Sequence, residues 1–190
     1  MNYLAHAFLS GNNEDLLLGN FIADHLRGGE LRNYQPGVAA GIILHRKIDS
    51  FTDQHPLFRA SKRLFYNGFE KHSGILVDIY FDHLLARDFP KYSLTALDEF
   101  SHRVYKVYRA QQTIIPVSSQ RFLDYITNNG IYQSYASETG ISTVLQHLSQ
   151  RIRHGVHLHY SLDLFQKHEK QLAEYFSAFF EEARRTFDPK

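Results

Sequence analysis

The segment from residue 36 to residue 53 reads Pro-Gly-Val-Ala-Ala-Gly-Ile-Ile-Leu-His-Arg-Lys-Ile-Asp-Ser-Phe-Thr-Asp, and it decides the fold class. Its proline suits the first turn of a helix, and its apolar residues recur at helical intervals rather than in alternation. The same pattern marks residues 56–65, 75–86 and 93–113 and most of the chain beyond them. We find no alternating strand pattern and no linker. The sequence therefore predicts one all-α domain, a helical bundle over residues 1–190.

The composition of the 190-residue chain narrows the possible classes of protein. Hydrophobic residues make up 43% of it, with 15 Phe and 12 Tyr, which is enough for a sizeable core. The absence of cysteine excludes disulfides, zinc–thiolate sites, iron–sulfur clusters and thiol nucleophiles. A net charge of +1 gives the chain no overall electrostatic attraction to nucleic acid or membranes. No apolar segment is long enough to span a membrane. With no signal peptide either, we expect a cytoplasmic protein that binds neither nucleic acid nor membrane.

Histidine and aspartate occur together at helical spacing in the segment quoted first. His45, Asp49 and Asp53 are four residues apart, so they lie along one face of a helix. An imidazole and a carboxylate presented in this way bind a divalent metal; the alternative is a surface pair followed by a capping aspartate. The apolar neighbours Ile42 and Ile48 indicate a largely buried helix, where a carboxylate needs a partner, and this favours the metal.

Asp78 and Asp82 are also four residues apart, in the apolar run 75–86, and His83 follows directly. Two like charges on one buried helix face repel each other. A metal between them would relieve the repulsion, but so would a basic side chain from another helix or protonation of one aspartate. At this point the alternatives remain open.

Two further segments carry the same residue types in apolar surroundings, the doublet Asp24-His25 and the single His6. Each alone is better explained as structural, the doublet as a helix end and the histidine as a hydrogen-bonded core residue. The combination is more specific, because four segments within the first 83 residues place His or Asp inside apolar helices. Such a set without thiolates suits Mn²⁺, Mg²⁺ or Fe²⁺, with zinc possible, and is typical of sites that hydrolyse phosphate esters.

These segments resemble those of the acyl carrier protein phosphodiesterases, also called acyl carrier protein hydrolases. The matching motifs are Asn2-Tyr-Leu-Ala-His6, Gly19-Asn-Phe-Ile-Ala-Asp24, residues 41–53, and Asp78-Ile-Tyr-Phe-Asp82-His83. The resemblance implies a distant relation to the helical HD-type phosphohydrolases, although the doublets here read Asp-His rather than His-Asp. It also implies removal of 4′-phosphopantetheine from holo acyl carrier protein, in the context of fatty acid biosynthesis. Mn²⁺ is the metal implied, with Mg²⁺ or another divalent ion possible.

Roles for individual residues follow from that resemblance together with the helix spacing. We expect the metal ligands to be a subset of His6, Asp24, His45, Asp49 and Asp82. Arg46 would offset charge on the phosphoryl oxygens, and His25 or His83 would protonate the leaving serine. Asp53 and Asp78 would orient the metal ligands without binding the metal themselves.

Acyl carrier proteins are acidic, so the resemblance also predicts a basic docking face. The residues proposed for it, besides Arg46, are Arg27, Arg32, Lys47, Lys62 and Arg63, each of which alone is better explained by a solvated face of mixed charge. One alternative function is a metal phosphohydrolase acting on a nucleotide or another small phosphate ester. Another is a helical binding protein whose buried His and Asp residues are structural. The sequence leaves the number of metals and the oligomeric state undetermined.

Overall fold

The structure, a computed structural model, describes residues 2–26, 30–152 and 156–187. Over these ranges the chain forms α-helices joined by turns and short 3₁₀ segments and contains no strand, which confirms the predicted all-α class. The helices are α1 (Tyr3–Leu9), α2 (Glu14–Ile22), α3 (Pro36–Gln54), α4 (Pro56–Arg63), α5 (Tyr66–Phe69), α6 (Ser73–Arg87), α7 (Leu97–Ala110), α8 (Val117–Asn128), α9 (Ile131–Ser134), α10 (Glu138–Arg151) and α11 (Leu162–Phe187).

Helix boundaries follow local chemistry. Pro36 and Pro56 occupy the first positions of α3 and α4, where a missing N–H costs nothing. The helix expected from Ser93 begins only at Leu97, because the Ser93 hydroxyl accepts a bond from the Thr95 N–H at 3.0 Å. That side-chain bond offers the backbone a turn in place of a helix.

Helix α6 runs through the core. Its Tyr80 is fully buried and stacks between Phe65 and Phe165, with ring centroids 5.1 and 4.5 Å apart. The Tyr80 hydroxyl lies 2.7 Å from the Ser161 hydroxyl, so its polar atom is satisfied as well. This stack joins α6 to α11 and to the turn after α4. Among the described residues, none of the helices is long and apolar enough to cross a membrane.

Two glycines let α2 and α3 pack backbone against backbone. A Cβ atom on Gly19 would lie 2.0 Å from the Val38 carbonyl oxygen, and one on Gly41 would lie 2.4 Å from the Leu16 carbonyl oxygen. Any side chain at either position would push the helices apart. Since His45 lies one turn beyond Gly41, this close crossing brings its ring within reach of side chains on α2.

Asp82 differs from its expected role as a metal ligand. It is 0% exposed, and its two carboxylate oxygens accept hydrogen bonds from the backbone N–H groups of Leu4 at 2.8 Å and Ala5 at 3.0 Å. Helix α1 has no side-chain cap from Asn2, so Asp82 supplies that cap from α6. Burial raises the pKa of Asp82 to about 7, and the two N–H donors counteract that rise.

Candidate metal centre

Two buried histidines meet at one buried asparagine. The Asn20 Oδ1 atom lies 2.8 Å from His6 Nδ1 and 2.9 Å from His45 Nδ1, and the two imidazole rings stack at 4.2 Å. The Asn20 amide nitrogen donates to the His6 carbonyl oxygen at 3.1 Å and to the Ser10 hydroxyl at 2.8 Å. Because the amide oxygen can only accept, both Nδ1 atoms donate to it, and both Nε2 atoms face the opposite side.

Two carboxylates face these Nε2 atoms. Asp49 approaches both rings, with Oδ1 at 3.1 Å from His6 Nε2 and Oδ2 at 3.0 Å from His45 Nε2. Asp24 Oδ1 lies 3.0 Å from His45 Nε2. The histidine side chains are nearly inaccessible, whereas those of Asp24 and Asp49 are 45% and 42% exposed. The cluster is therefore closed on its histidine side and open to solvent at its carboxylates.

The two histidines differ in their affinity for a proton. Burial lowers the pKa of His6 to about 4, and the hydrogen bond with Asp49 only partly opposes this. Burial also acts on His45, but the bonds with Asp24 and Asp49 prevail and raise its pKa to about 9. Burial raises the pKa values of Asp24 and Asp49, but hydrogen bonds and positive charge from the histidines outweigh it and hold both values below their usual range. Without a metal, the cluster thus has one imidazolium between two carboxylates.

The donor atoms of this cluster fit a divalent cation. His6, His45 and Asp49 each offer an atom, and these atoms lie within 4.8 Å of one another. A neutral His6 that donates from Nδ1 directs the Nε2 lone pair at the Asp49 carboxylate, which is unfavourable unless a cation lies there. The N-to-O separations of 3.0–3.1 Å match the edge of an octahedron whose metal–ligand bonds are about 2.1 Å. Imidazole and carboxylate ligands without thiolate suit Mn²⁺, Fe²⁺ or Zn²⁺.

Four of the five predicted ligands come together in this way. His6, Asp24, His45 and Asp49 lie together in one cluster, while the oxygens of Asp82 accept hydrogen bonds from the backbone of α1. Their role in binding a metal stays a prediction.

Asn20 is the polar residue that the sequence analysis overlooked. It lies inside the quoted motif Gly19-Asn-Phe-Ile-Ala-Asp24, next to the glycine of the helix crossing, and it is 2% exposed. An amide in the middle of an apolar helix was the available signal, because a buried amide needs partners.

The two histidines proposed as proton donors lie in different places. His83 is 2% exposed, its Nδ1 lies 2.7 Å from the Tyr135 carbonyl oxygen, and its ring edge contacts Phe165. It faces α9 and α11, so the geometry gives no support to a role in proton transfer at the cluster. His25 follows Asp24 directly, its ring lies 5.9 Å from that of Phe122, and its buried Nδ1 has no hydrogen-bond partner among the described residues. His25 stays the candidate acid.

The remaining predicted residues are Arg46, Asp53 and Asp78. Arg46 is exposed on α3, directly after His45. Asp53 is exposed near the end of α3, where its carbonyl oxygen accepts from the Arg59 side chain at 3.1 Å. Asp78 lies in a pocket wall, and burial raises its pKa. Their functional roles also stay predictions.

The predicted docking residues are accessible where the structure describes them. Arg32, Lys47 and Arg63 are exposed, and Lys62 is half-buried with its ammonium 5.5 Å above the Phe58 ring. Arg27 lies outside the described residues.

A pocket adjoins the cluster at Tyr3. Burial raises the pKa of Tyr3 and the nearby Asp24 carboxylate raises it further, so the Tyr3 hydroxyl stays protonated. Its ring lies 4.4 Å from that of Phe122 in the pocket wall. The pocket has a volume of about 210 Å³ and is bounded mainly by apolar side chains of α6, α8 and α10.

Comparison with known proteins agrees with the resemblance of the motifs. The model of one family, described as acyl carrier protein phosphodiesterase, matches residues 1–183. The chain belongs to this phosphodiesterase family. Relatives named acyl carrier protein phosphodiesterase include one from Serratia proteamaculans and one from Escherichia coli O6:H1, each 33% identical over 80% of this chain and 79% of its own length. Another, from Yersinia pestis, is 30% identical over 95% of this chain and 94% of its own.

Membership of the acyl carrier protein phosphodiesterase family confirms the predicted family and the predicted class of enzyme, a phosphoric diester hydrolase. The match extends far beyond the motifs that suggested it, since these end near Ala86. No solved structure matches the chain, and the distant likeness to HD-type proteins stays a prediction.

Proposed function

We propose that this phosphodiesterase hydrolyses the diester between 4′-phosphopantetheine and a serine of holo acyl carrier protein. The products are apo acyl carrier protein and 4′-phosphopantetheine. One observation carries the proposal: in a chain of this family, Asn20 directs the Nε2 atoms of His6 and His45 towards two solvent-open carboxylates, Asp24 and Asp49. These four residues are the proposed ligands of a divalent cation, for which we favour Mn²⁺.

Each residue of the cluster has a defined task. Asn20 keeps the Nδ1 proton on both rings, so the Nε2 lone pairs are available as ligands. Asp49 offers one oxygen to each histidine, and the buried rings exclude water from the floor of the site. A bound divalent cation supplies Lewis acidity towards the phosphoryl oxygens and a water of lowered pKa. The substrate approaches from the side of Asp24 and Asp49, and we expect His25, next to Asp24 in the chain, to protonate the departing serine oxygen.

The openness of this side supports a protein substrate. The carboxylates are nearly half exposed, and Arg46 and Lys47 follow His45 on the exposed surface of α3. A phosphodiester at the end of a flexible arm can reach such a site, and positive charges beside it suit an acidic partner. A nucleotide would instead call for a closed pocket around its base and sugar.

The test is to incubate the purified chain with holo acyl carrier protein and Mn²⁺ and to weigh the carrier by mass spectrometry. We expect loss of the phosphopantetheine mass, no loss after EDTA treatment, and no loss with His45→Gln or Asp49→Asn. His102→Gln on α7 is the matched control, since this exposed histidine bonds to the Asp98 carbonyl oxygen of its own helix. A carrier of unchanged mass with every divalent metal would refute the proposed function.

A further inference from the structure

The pocket beside the cluster has no role in the mechanism proposed above. Tyr3 links the two, because it lines the pocket and lies near enough to the Asp24 carboxylate for that charge to help raise its pKa. The Phe122 ring, also in the pocket wall, lies 4.4 Å from the Tyr3 ring and 5.9 Å from the ring of His25, the neighbour of Asp24 in the chain. A group bound in the pocket would therefore be continuous with a phosphate held at the cluster. Helices α8 and α10 supply half of this wall, although they lie outside the motif-bearing part of the chain.

The size of the pocket restricts its occupant. Its volume of about 210 Å³ lies below the roughly 300–1,000 Å³ of sites that bury a drug-sized ligand. The walls are apolar at Ile79, Ile126 and Val144, which suits methyl and methylene groups.

Polar groups occur at a few points of the same pocket. The Asn2 amide donates to the Tyr135 hydroxyl at 2.9 Å, so an amide and a phenol lie side by side in the wall. The Arg151 guanidinium lies 5.4 Å from the centre of the Tyr125 ring and gives the pocket a positive charge. A chain that alternates amides with methylene and methyl groups, and that ends in a phosphate, is complementary to this arrangement.

We propose that this pocket binds the pantetheine arm of the substrate and so positions its phosphate beside Tyr3 and Asp24. This inference rests on the proposed function, because that function supplies the pantetheine arm. It assigns substrate recognition to the second half of the chain, through Val144, Leu148 and Arg151 of α10.

The first experiment compares two ligands on the Mn²⁺-loaded protein by calorimetry, 4′-phosphopantetheine and inorganic phosphate. We expect phosphopantetheine to bind at least about tenfold more tightly, because only it fills the pocket. Val144→Phe fills the pocket with a ring and should abolish this advantage while leaving the phosphate affinity unchanged. Leu148→Trp is a second pocket-filling variant in case the first does not fold. Val117→Phe, the same exchange at an 80% exposed position outside the pocket, should behave as wild type.

The second experiment measures turnover of holo acyl carrier protein by the same variants. Val144→Phe should raise KM by about tenfold while Val117→Phe leaves it unchanged. Equal affinity of the wild type for the two ligands, or an undiminished preference in the folded pocket variants, would overturn the inference. If wild-type protein removes the prosthetic group and pocket-filled protein does so equally well, the pocket assignment alone fails. If wild-type protein leaves holo carrier intact, the proposed function itself fails.

Discussion

Asn20 determines which face of each histidine can act as a ligand. A single amide oxygen accepts from both Nδ1 atoms, so His6 and His45 present their Nε2 atoms to the same point. Hydrogen bonds of this kind behind metal-binding histidines commonly set the tautomer and the basicity of the ring. The chemistry of the candidate centre therefore depends on a residue that would touch neither metal nor substrate.

Replacing Asn20 by Ala should weaken Mn²⁺ binding by about 10- to 100-fold, because both rings lose the acceptor that orients them. Calorimetric titration of the metal-free protein measures this, with circular dichroism as a check on helicity. Asn67→Ala, at an exposed position in α5, is the control and should bind as wild type. Wild-type affinity in Asn20→Ala would show that the amide does not orient the ligands.

The raised pKa of His45 makes the stability of the metal-free protein depend on pH. Its pKa is about 9 in the folded protein against 6.5 for the free side chain, so the protonated form stabilises the fold. That stabilisation is complete below pH 6.5 and is lost as the pH rises from 6.5 to 9. Urea unfolding in EDTA should show a decline on the order of 1–3 kcal/mol over this window. In His45→Gln the decline should be absent; if it persists there, it has another source.

At the scale of elements, the crossing of α2 and α3 positions the centre. Gly19 and Gly41 let the two backbones touch, and the side chains just beyond them, Asn20 and His45, then meet at 2.9 Å. Helices usually pack 8–10 Å apart, a distance set by the side chains between them. The glycines are thus needed for the site as much as for the fold.

Gly19→Ala should destabilise the protein by about 2–4 kcal/mol, because its methyl group would lie 2.0 Å from the Val38 carbonyl oxygen. The shifted helix should also weaken Mn²⁺ binding. Gly74→Ala is the matched control: in the first turn of α6 its methyl group meets only the Lys62 side chain, at 3.9 Å. That change should be neutral or slightly stabilising. Urea unfolding compares the two, and equal stabilities would contradict the close crossing.

The buried cap of α1 is a second contact between elements that supports the site. Asp82→Ala would leave the N–H groups of Leu4 and Ala5 without their acceptor, which should cost about 2–4 kcal/mol in unfolding free energy. Asp82→Asn, which keeps one acceptor oxygen, should lose less. Holo-carrier turnover by the folded fraction of Asp82→Asn should be retained. Loss of Mn²⁺ binding in that variant, with its fold intact, would restore Asp82 to the ligand set.

At the scale of the whole molecule, the proposed activity joins a small reactive centre to a large charged partner. The net charge of +1 provides little long-range attraction, so the docking that we propose would depend on local groups such as Arg46 and Lys47, which follow His45 in the chain. Lys62 and Arg63 on α4 extend the candidate docking residues to a second helix.

Docking of this kind should respond to salt. The KM for holo acyl carrier protein should rise several-fold between low and high ionic strength, because exposed charges are screened within about 10 Å at 0.1 M. Lys47→Glu should raise KM at low salt and flatten its dependence on salt, with kcat little changed. Lys167→Glu, on the exposed surface of α11, is the control of equal charge change and should match wild type. A KM independent of salt would argue against the basic face.

Short-range relations were readable in the sequence. The spacing of apolar residues predicted helices, and the four-residue interval between His45 and Asp49 placed both on one face, where they lie 3.0 Å apart. The motifs also led to the correct family. These inferences hold because a helix relates residues within one or two turns, whatever it packs against.

Contacts between distant segments were decided by the tertiary structure alone. His6 and Asp49 are 43 positions apart and meet, whereas Asp82, equally suited to a metal by its pattern, caps α1 and His83 faces the core. Periodicity places a residue on a face of its helix, but which other helix that face meets depends on packing. Here, backbone contact at Gly19 and Gly41 and burial of α6 decided which of several similar carboxylates and imidazoles share one site.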